Sequence, residues 1–443
     1  MIRPELARYD VHKNIKNKWI AEIPNHWELS RIKDRGSVKA RIGWKALKAS
    51  EYVDDGFVLI STPNIKNKDI DFENVNYITY ERYVESPEIM LKEDDILLAK
   101  DGSTLGIVNI VTSLPRETTV NSSICVLRFN KTIFNKYLFY QIESKYIQDQ
   151  IQYNKGGMGV PHLFQQDINN FIILVPQFSE QKAIANYLDT KTSHIDRKID
   201  LLIQKSVQYL KLKKSIITET VTSGLDKNVA VKDSGVEWIG KVPKHWDVKR
   251  LKDIGNSIIG ITYSPEDVLD DKFGGVLVLR SSNIQNNRLS LSDTVYVGVK
   301  VSRKQTLRKG DILLCSRNGS RSLIGKNICI DERTEGQTFG AFMTVYRTKY
   351  FRFIQHFFNS QLFESQSGLY MSSTINQLTI NTLNNFLIAL PPIPEQEDIA
   401  DYLDTKTAHI DHIIETTNNQ IDKLRELRKT LINDVVTGKI KVV

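Results

Sequence analysis

The sequence predicts a mixed α/β (α+β) fold, with two pseudo-symmetric globular halves separated by two long antiparallel coiled-coil helices. The stretch EQKAIANYLDTKTSHID at 180–196 recurs as EQEDIADYLDTKTAHID at 395–411, with thirteen of seventeen positions identical. The segment WIAEIPNHWELSRIKD at 19–34 recurs in the same order as WIGKVPKHWDVKRLKD at 238–253. Each half also carries short apolar runs between polar loops. The chain is therefore an internal duplication.

Composition sets only broad limits on the function. The 443 residues are 41% hydrophobic, enough for two or three domains with ordinary cores. The net charge of +8 is compatible with a nucleic-acid partner without requiring one. The three cysteines lie far apart without metal-ligand spacing, which favours reduced thiols. The N-terminal stretch has no apolar signal region, and no apolar run approaches membrane-spanning length. We expect a soluble cytoplasmic protein without membrane contact.

The repeated unit of each half is an apolar strand followed by a polar loop. FVLIS from Phe57 and VLVLR from Val276 each precede an Asn-rich loop. DILL at 95–98 and again at 311–314 precedes a Gly-containing loop. Aromatic helical segments follow from Lys136 and Tyr350, and a strand then ends each half at a proline.

The long helices begin with the repeated stretch. In the first, Leu188, Ile195, Leu202, Tyr209 and Ile216 recur every seven residues, which is a coiled-coil seam. The second continues the pattern, with Thr417 as its weak position. The alternative is an ordinary core helix in each half. We expect a first globular domain at 1–178, a central helix at 179–224, a linker with the second domain at 225–394, and a C-terminal helix at 395–443.

No catalytic or metal site is predicted. GSRSLIGKN at 319–327 departs from phosphate-loop spacing, and the glycines near 156 do not lie between a strand and a helix. Asp94 and Asp95 are interpreted as a solvated strand end. His26 and His245 occupy matching positions beside tryptophans, where we expect structural hydrogen bonds.

The two halves share strand cores but differ in their loops. Arg and Lys side chains can read guanine, Asn and Gln can read adenine, and smaller polar groups can hold phosphates. One scaffold with two different loop sets would recognise two different short sequences. The alternative is that these loops are merely solvated. The DNA-binding candidates are Lys66, Asn67, Lys100, Ser103, Thr104, Lys155, Gln285, Asn286, Arg317, Asn318, Ser320, Arg321 and Ser373.

Over essentially its whole length the chain resembles the specificity subunits of type I restriction-modification systems. The resemblance rests on DSGVEWIGKVPKHW at 233–246, on the DILL strand-loop motifs, and on the proline followed by EQ before each long helix. It implies two target recognition domains that read a split, asymmetric DNA target, and no catalytic activity or cofactor in this chain. Two modification subunits would bring S-adenosylmethionine, and restriction subunits, where present, would bring ATP and Mg. The first half lacks the DSG that precedes Trp238.

The resemblance also implies that modification subunits dock on the long helices. The candidate docking residues are Gln181, Tyr187, Gln396 and Tyr402, although both tyrosines are equally compatible with core packing. Two other functions stay open on the sequence: a self-sufficient methyltransferase or nuclease, and a coiled-coil adaptor that does not bind DNA.

Overall fold

The computed structural model describes residues 8–41, 47–66, 68–157, 159–270, 274–370 and 377–442. The chain forms two compact units. Unit 1 comprises Met1–Leu202 with Asn419–Val443, and unit 2 comprises Ile203–Asn418. Each unit therefore contains part of both long helices. The boundaries expected from the sequence instead keep each long helix whole, at 179–224 and at 395–443.

Among its described residues, unit 1 has eleven short strands, five short α-helices and parts of the two long helices. In chain order, the elements that begin in it are β1 (His12–Asn14), β2 (Glu22–Pro24), β3 (Glu28–Arg31), α1 (Ile32–Arg35), β4 (Gly36–Ala40), β5 (Phe57–Ile60), β6 (Asn76–Ile78), α2 (Tyr80–Val84), β7 (Ile96–Ala99), β8 (Val108–Ile110), β9 (Thr118–Val120), β10 (Ile124–Phe129), α3 (Asn135–Glu143), α4 (Lys145–Asn154), α5 (Gln165–Asn169), β11 (Ile172–Val175) and α6 (Phe178–Ser223).

Unit 2 repeats this order with additional two-residue strands. Its elements are β12 (Val231–Asp233), β13 (Lys241–Pro243), β14 (Asp247–Arg250), α7 (Leu251–Ile254), β15 (Asn256–Ile259), β16 (Val268–Leu269), β17 (Val276–Leu279), β18 (Ile284–Gln285), β19 (Arg288–Leu289), β20 (Tyr296–Val297), β21 (Ile312–Cys315), β22 (Asn327–Cys329), β23 (Thr338–Phe339), β24 (Met343–Arg347), α8 (Phe351–Phe358), α9 (Gln361–Tyr370), α10 (Ile380–Asn384), β25 (Leu387–Leu390) and α11 (Ile393–Val436).

The sheets of the two units have matching topologies. Unit 1 has an antiparallel sheet in the order β4-β10-β7-β8, and unit 2 has β15-β24-β21-β22. A second sheet, β6-β5-β9 or β16-β20-β17-β23, contains one parallel pair in each unit. The last strand of each half pairs with β3 or β14 near the start of that half. The predicted strand cores are confirmed, including both DILL runs, whose strands are buried along their whole length.

The first segment of each half is a β-hairpin. His12 lies opposite Pro24 in unit 1, as Val231 lies opposite Pro243 in unit 2. The hairpin therefore forms in unit 1 although its sequence lacks the DSG of unit 2.

Both long helices that the sequence predicts are present, although α11 ends at Val436, before the expected boundary at 443. Helix α6 has 46 residues and α11 has 44, so each is about 65 to 70 Å long. Arg428 Nε lies 3.0 Å from Asp196 within unit 1, and Lys213 Nζ lies 2.7 Å from Asp411 within unit 2. As the residue number rises along α6, the number of the contacting residue on α11 falls, so the two helices pair antiparallel.

Polar side chains interrupt the seam. Thr417 is buried, and its hydroxyl donates to the Ile413 carbonyl at 2.7 Å, so the predicted weak position is satisfied by a hydrogen bond. Ile203 lies outside the seam, and its residue is 40% exposed. It follows the seam residue Leu202 directly, and adjacent positions on a helix point about 100° apart.

Each unit has its own apolar core. In unit 1 the short helices and the first turns of α6 pack around Trp27 and Tyr137, together with Ile432 near the end of α11. In unit 2 the equivalent core surrounds Trp246 and Phe357. Within the described ranges no helix is long and apolar enough to cross a membrane, and no group of His, Cys, Asp or Glu side chains has the arrangement of a metal site. Cys125 and Cys315 are free and buried, and burial raises the pKa of Cys125 to about 12.

Candidate nucleic-acid interface

A buried ion pair fixes the sheet behind the loops in each unit. Arg128 donates to Asp95 through two hydrogen bonds of 2.7 and 2.8 Å, and Arg347 donates to Asp311 through two of 2.7 Å. The interpretation of Asp95 as a solvated strand end is therefore wrong. Its carboxylate is buried because an arginine on the neighbouring strand, 33 residues away in sequence, neutralises it.

One asparagine in each unit shapes the Asn-rich loop. The Asn64 side chain accepts from Ser61 N at 2.9 Å and donates to the carbonyls of Asp71 and Asn74. The Asn283 side chain makes the same three kinds of bond, to Arg280 N and to the carbonyls of Ser290 and Asp293. These asparagines hold the backbone of the loop in the same way in both units.

The Asn-rich loop of unit 2 ends in a tight hairpin. Asn286 and Asn287 connect β18 to β19 with φ of 52° and 57°, as a type I′ turn requires. Asn286 therefore has a structural reason to be asparagine, beside its predicted role in DNA binding. Gln285 is exposed next to it. In unit 1 Lys66 is exposed at the equivalent loop, and Asn67 lies outside the described residues.

The loop after β7 packs against the loop after α4. Lys100 Nζ donates to Asp101 at 3.0 Å, and the same carboxylate pairs with His162. Thr104 donates to the Asp101 carbonyl at 3.2 Å, whereas Ser103 is exposed. The structure therefore brings Lys100, Ser103 and Thr104 together.

Lys155 lies on the second of these loops. It is exposed, and its ammonium donates to Gln152 at 2.7 Å. Hydrogen bonds between Gly156 and His162 close this loop, so the loop that carries Lys155 is the one that meets Asp101. Sequence reasoning missed His162, because loops of different length hide this position when the halves are compared.

The loop after β21 carries four of the candidates in unit 2. Arg317, Ser320 and Arg321 are exposed. Asn318 donates to Ser281 Oγ at 3.3 Å, which joins this loop to the Asn-rich loop, and Arg321 donates to the Gly368 carbonyl at 3.4 Å. Ser373 lies outside the described residues.

Two of the four predicted docking residues, Gln181 and Gln396, are buried. Gln181 is fully buried, and its amide bonds Phe134 N and the carbonyls of Thr132 and Pro176. Gln396 is also buried and donates to the Pro391 carbonyl at 2.7 Å. The repeated Pro-x-x-x-Glu-Gln motif is therefore a structural connection between strand and helix.

The two tyrosines differ from each other. Tyr187 is half-buried against the core of unit 1, and burial raises its pKa. Tyr402 is 37% exposed on α11, with Lys406 Nζ 5.6 Å from its ring centroid. Tyr187 therefore packs partly against the core, whereas Tyr402 is exposed to solvent.

Comparison with known proteins identifies the family. The model of the type I restriction modification DNA specificity domain matches residues 24–206 and again residues 243–423. The chain belongs to this family. As a specificity subunit it recognises DNA sequence in a type I restriction-modification system, as the resemblance implied.

Individual relatives agree with this assignment. The chain is 26% identical over 448 residues to the type I restriction enzyme MjaVIII specificity subunit of Methanocaldococcus jannaschii, covering 99% of this chain and 98% of that protein. It is 30% identical over 207 residues to the EcoKI specificity subunit of Escherichia coli, covering 45% and 44%. A chain from a solved structure of a type I restriction-modification assembly matches its fold with a TM-score of 0.71 at 16% identity, covering 94% of this chain and 99% of that one.

Proposed function

We propose that the specificity subunit reads a split, asymmetric DNA target, with each half recognising one part. The observation that carries the proposal is the contrast between shared supports and different loops. The Asp–Arg pair and the loop asparagine are the same in both units. The second residue of the loop after β7 in unit 1 is the acidic Asp101. The equivalent residue of the loop after β21 in unit 2 is the basic Arg317. Such readers select different bases.

The long helices would act as spacers between the two readers. Two half-sites bound on one face of DNA lie about one helical turn, or roughly 34 Å, apart, or at multiples of it. A continuous helix of 46 residues is long enough for such a spacing.

Modification subunits would dock on exposed parts of the same helices. Tyr402 stays a candidate because of its exposure, and Tyr187 offers only its solvent-facing edge. Ile203, Val207 and Leu210 are 40%, 45% and 50% exposed at spacings of four and three residues, so they form an apolar stripe on one face of α6. Gln181 and Gln396 are buried, so we do not propose them for direct contact with a partner.

Catalysis would then belong to the partners. The chain itself would hold no cofactor, S-adenosylmethionine would be bound by two modification subunits, and restriction subunits, if present, would bind ATP and Mg. The complex would act on double-stranded DNA in the cytoplasm.

An exchange of readers tests the proposal. The chain is co-expressed with the modification subunits of its system in a methylation-free host, and single-molecule sequencing gives the methylated motif. Replacing residues 35–175 with the corresponding segment of another specificity subunit should change one half of the motif only. A change in both halves of the motif would contradict the proposal that each half of the chain recognises one part of the target. Methylation by the purified chain with S-adenosylmethionine alone would establish a self-sufficient enzyme, and DNA binding without sequence preference would favour an adaptor.

A further inference from the structure

The residue that follows each DILL strand lies at a junction of three chain segments. In unit 2 Ser316 N donates to the Phe342 carbonyl at 3.0 Å, and Leu378 N donates to the Ser316 carbonyl at 2.7 Å. The junction therefore joins the end of β21, the turn before β24 and the loop before α10.

Unit 1 contains the same junction. Lys100 N donates to the Ser123 carbonyl and Leu163 N donates to the Lys100 carbonyl, both at 2.9 Å. Ser123 in unit 1 thus occupies the position of Phe342 in unit 2. The backbone is equivalent and only the side chains differ.

The unit 2 junction presents an aromatic ring to solvent. Phe342 is 60% exposed, although burial of a phenylalanine side chain is energetically favourable. Its carbonyl accepts from Ser316 N and Arg317 N at 3.0 Å and from Ser316 Oγ at 3.1 Å. These hydrogen bonds fix the backbone that carries the ring, so the exposed position is held in place by its neighbours.

Arg317 lies directly over this ring. Its guanidinium carbon is 5.2 Å from the Phe342 ring centroid, within cation–π distance. Across the part of the chain that the structure describes, no carboxylate lies within 4.0 Å of this guanidinium. Its charge and its donors are therefore available to an external ligand.

The unit 1 junction has the opposite character. Ser123 offers no apolar surface, and the position equivalent to Arg317 is Asp101. The Asp101 carboxylate is engaged by both Lys100 and His162. Unit 1 therefore provides an internal comparison in which both the ring and the free guanidinium are missing.

We propose that Phe342 is a specificity-determining residue, which positions Arg317 on a guanine and contacts the 5-methyl group of a neighbouring thymine in the major groove. The inference rests on the proposed function of unit 2 as a DNA reader and adds the bases that it reads. The planar guanidinium donates in parallel to guanine O6 and N7, and a ring beneath it restricts the orientation of that plane. A phenylalanine contacts the thymine methyl through dispersion and desolvation, and that methyl lies in the same groove.

Thymine-to-uracil replacement tests this contact, because it removes only the methyl group. The full-length chain with its modification subunits is titrated with duplexes of its methylated motif in which each thymine of the second half is replaced in turn by uracil. One replacement should weaken binding about fourfold, the size expected for one buried methyl group. In the Phe342→Ser variant, which copies Ser123, the same replacement should have no effect.

Matched variants exclude a general loss of structure. Phe342→Leu keeps an apolar contact and should retain part of the uracil sensitivity, and thermal unfolding of all variants should match the parent. The inference is overturned if Phe342→Ser weakens binding equally on all duplexes, or if the second half of the motif has no guanine beside a thymine. If the parent complex shows no sequence preference at all, the proposed function fails instead.

Discussion

Glu180, in the first turn of α6, accepts a hydrogen bond from the indole nitrogen of Trp27 at 3.1 Å. The same carboxylate accepts from the Tyr9 hydroxyl at 2.6 Å and contacts His26 at 2.8 Å. In unit 2 Glu395 contacts Trp246 and His245 at 3.0 and 2.8 Å. The repeated glutamate therefore ties the beginning of each long helix to the first segment of its own half, and the structural role predicted for the two histidines is confirmed.

Removing the carboxylate of Glu180 should destabilise unit 1 more than removing that of Glu395 destabilises unit 2. Glu180→Ala leaves the buried Tyr9 hydroxyl and Trp27 indole without their acceptor, and we expect a loss of about 2–4 kcal/mol. Glu395→Ala is the matched control and should cost less, because the Glu395 side chain is 28% exposed against 10% for Glu180. Urea unfolding followed by tryptophan fluorescence measures both variants. Equal losses would contradict this ranking.

The buried ion pair of unit 2 should matter for stability and not for specificity. Asp311→Ala leaves the Arg347 guanidinium without its carboxylate, and we expect a loss of about 3–5 kcal/mol. The double variant Asp311→Leu with Arg347→Met should recover most of this loss, because no unpaired charge stays buried. The single and the double variant should both leave the methylated motif unchanged, provided that they fold. A changed motif would show that the ion pair takes part in DNA recognition.

Arg317→Ala should relax recognition at the second half of the target. If Arg317 contacts a base, discrimination at one position should fall by about 1–3 kcal/mol. Arg333 is also exposed but pairs with Asp331, so Arg333→Ala serves as control and should change little. Competition binding with single-base variants of the motif gives the values. A uniform loss over all sequences would identify Arg317 as a phosphate contact.

Unit 2 should lose stability in acid partly through Asp404. Its hydrogen bond with His356, followed by that with Arg352, lowers the pKa of Asp404 below its ordinary value near 3.8. A lowered folded-state pKa gives stability that is present above the ordinary value and is lost as the pH falls through the folded value. Asp404→Asn should therefore show a flatter decline of the urea midpoint between about pH 5 and pH 3. An unchanged slope would contradict this contribution.

Tyr402 should contribute to docking of modification subunits. Tyr402→Ala removes an exposed ring from α11 and should weaken co-purification of these subunits, while DNA-independent folding stays intact because the ring is outside the core. The matched position Tyr187 is half-buried, so Tyr187→Ala should lower thermal stability first. Retention of both partners at native stoichiometry in Tyr402→Ala would remove this residue from the interface.

The sequence by itself determined the duplication, the strand cores, both long helices and the family. These features depend on local periodicity or on identity between repeats, both of which are written along the chain. Leu188, Ile195 and Leu202 follow the heptad whatever lies beside them, and the DILL strands are apolar throughout.

Only the tertiary structure decided the environment of individual polar side chains. Asp95 was expected in solvent and is buried because Arg128 reaches it from another strand, and Gln181 was expected on a surface and bonds three backbone groups instead. His162 contacts Asp101, although the two residues are 61 positions apart in the sequence. Whether a polar side chain is exposed, structural or available to DNA depends on partners distant in sequence, and no local pattern specifies them.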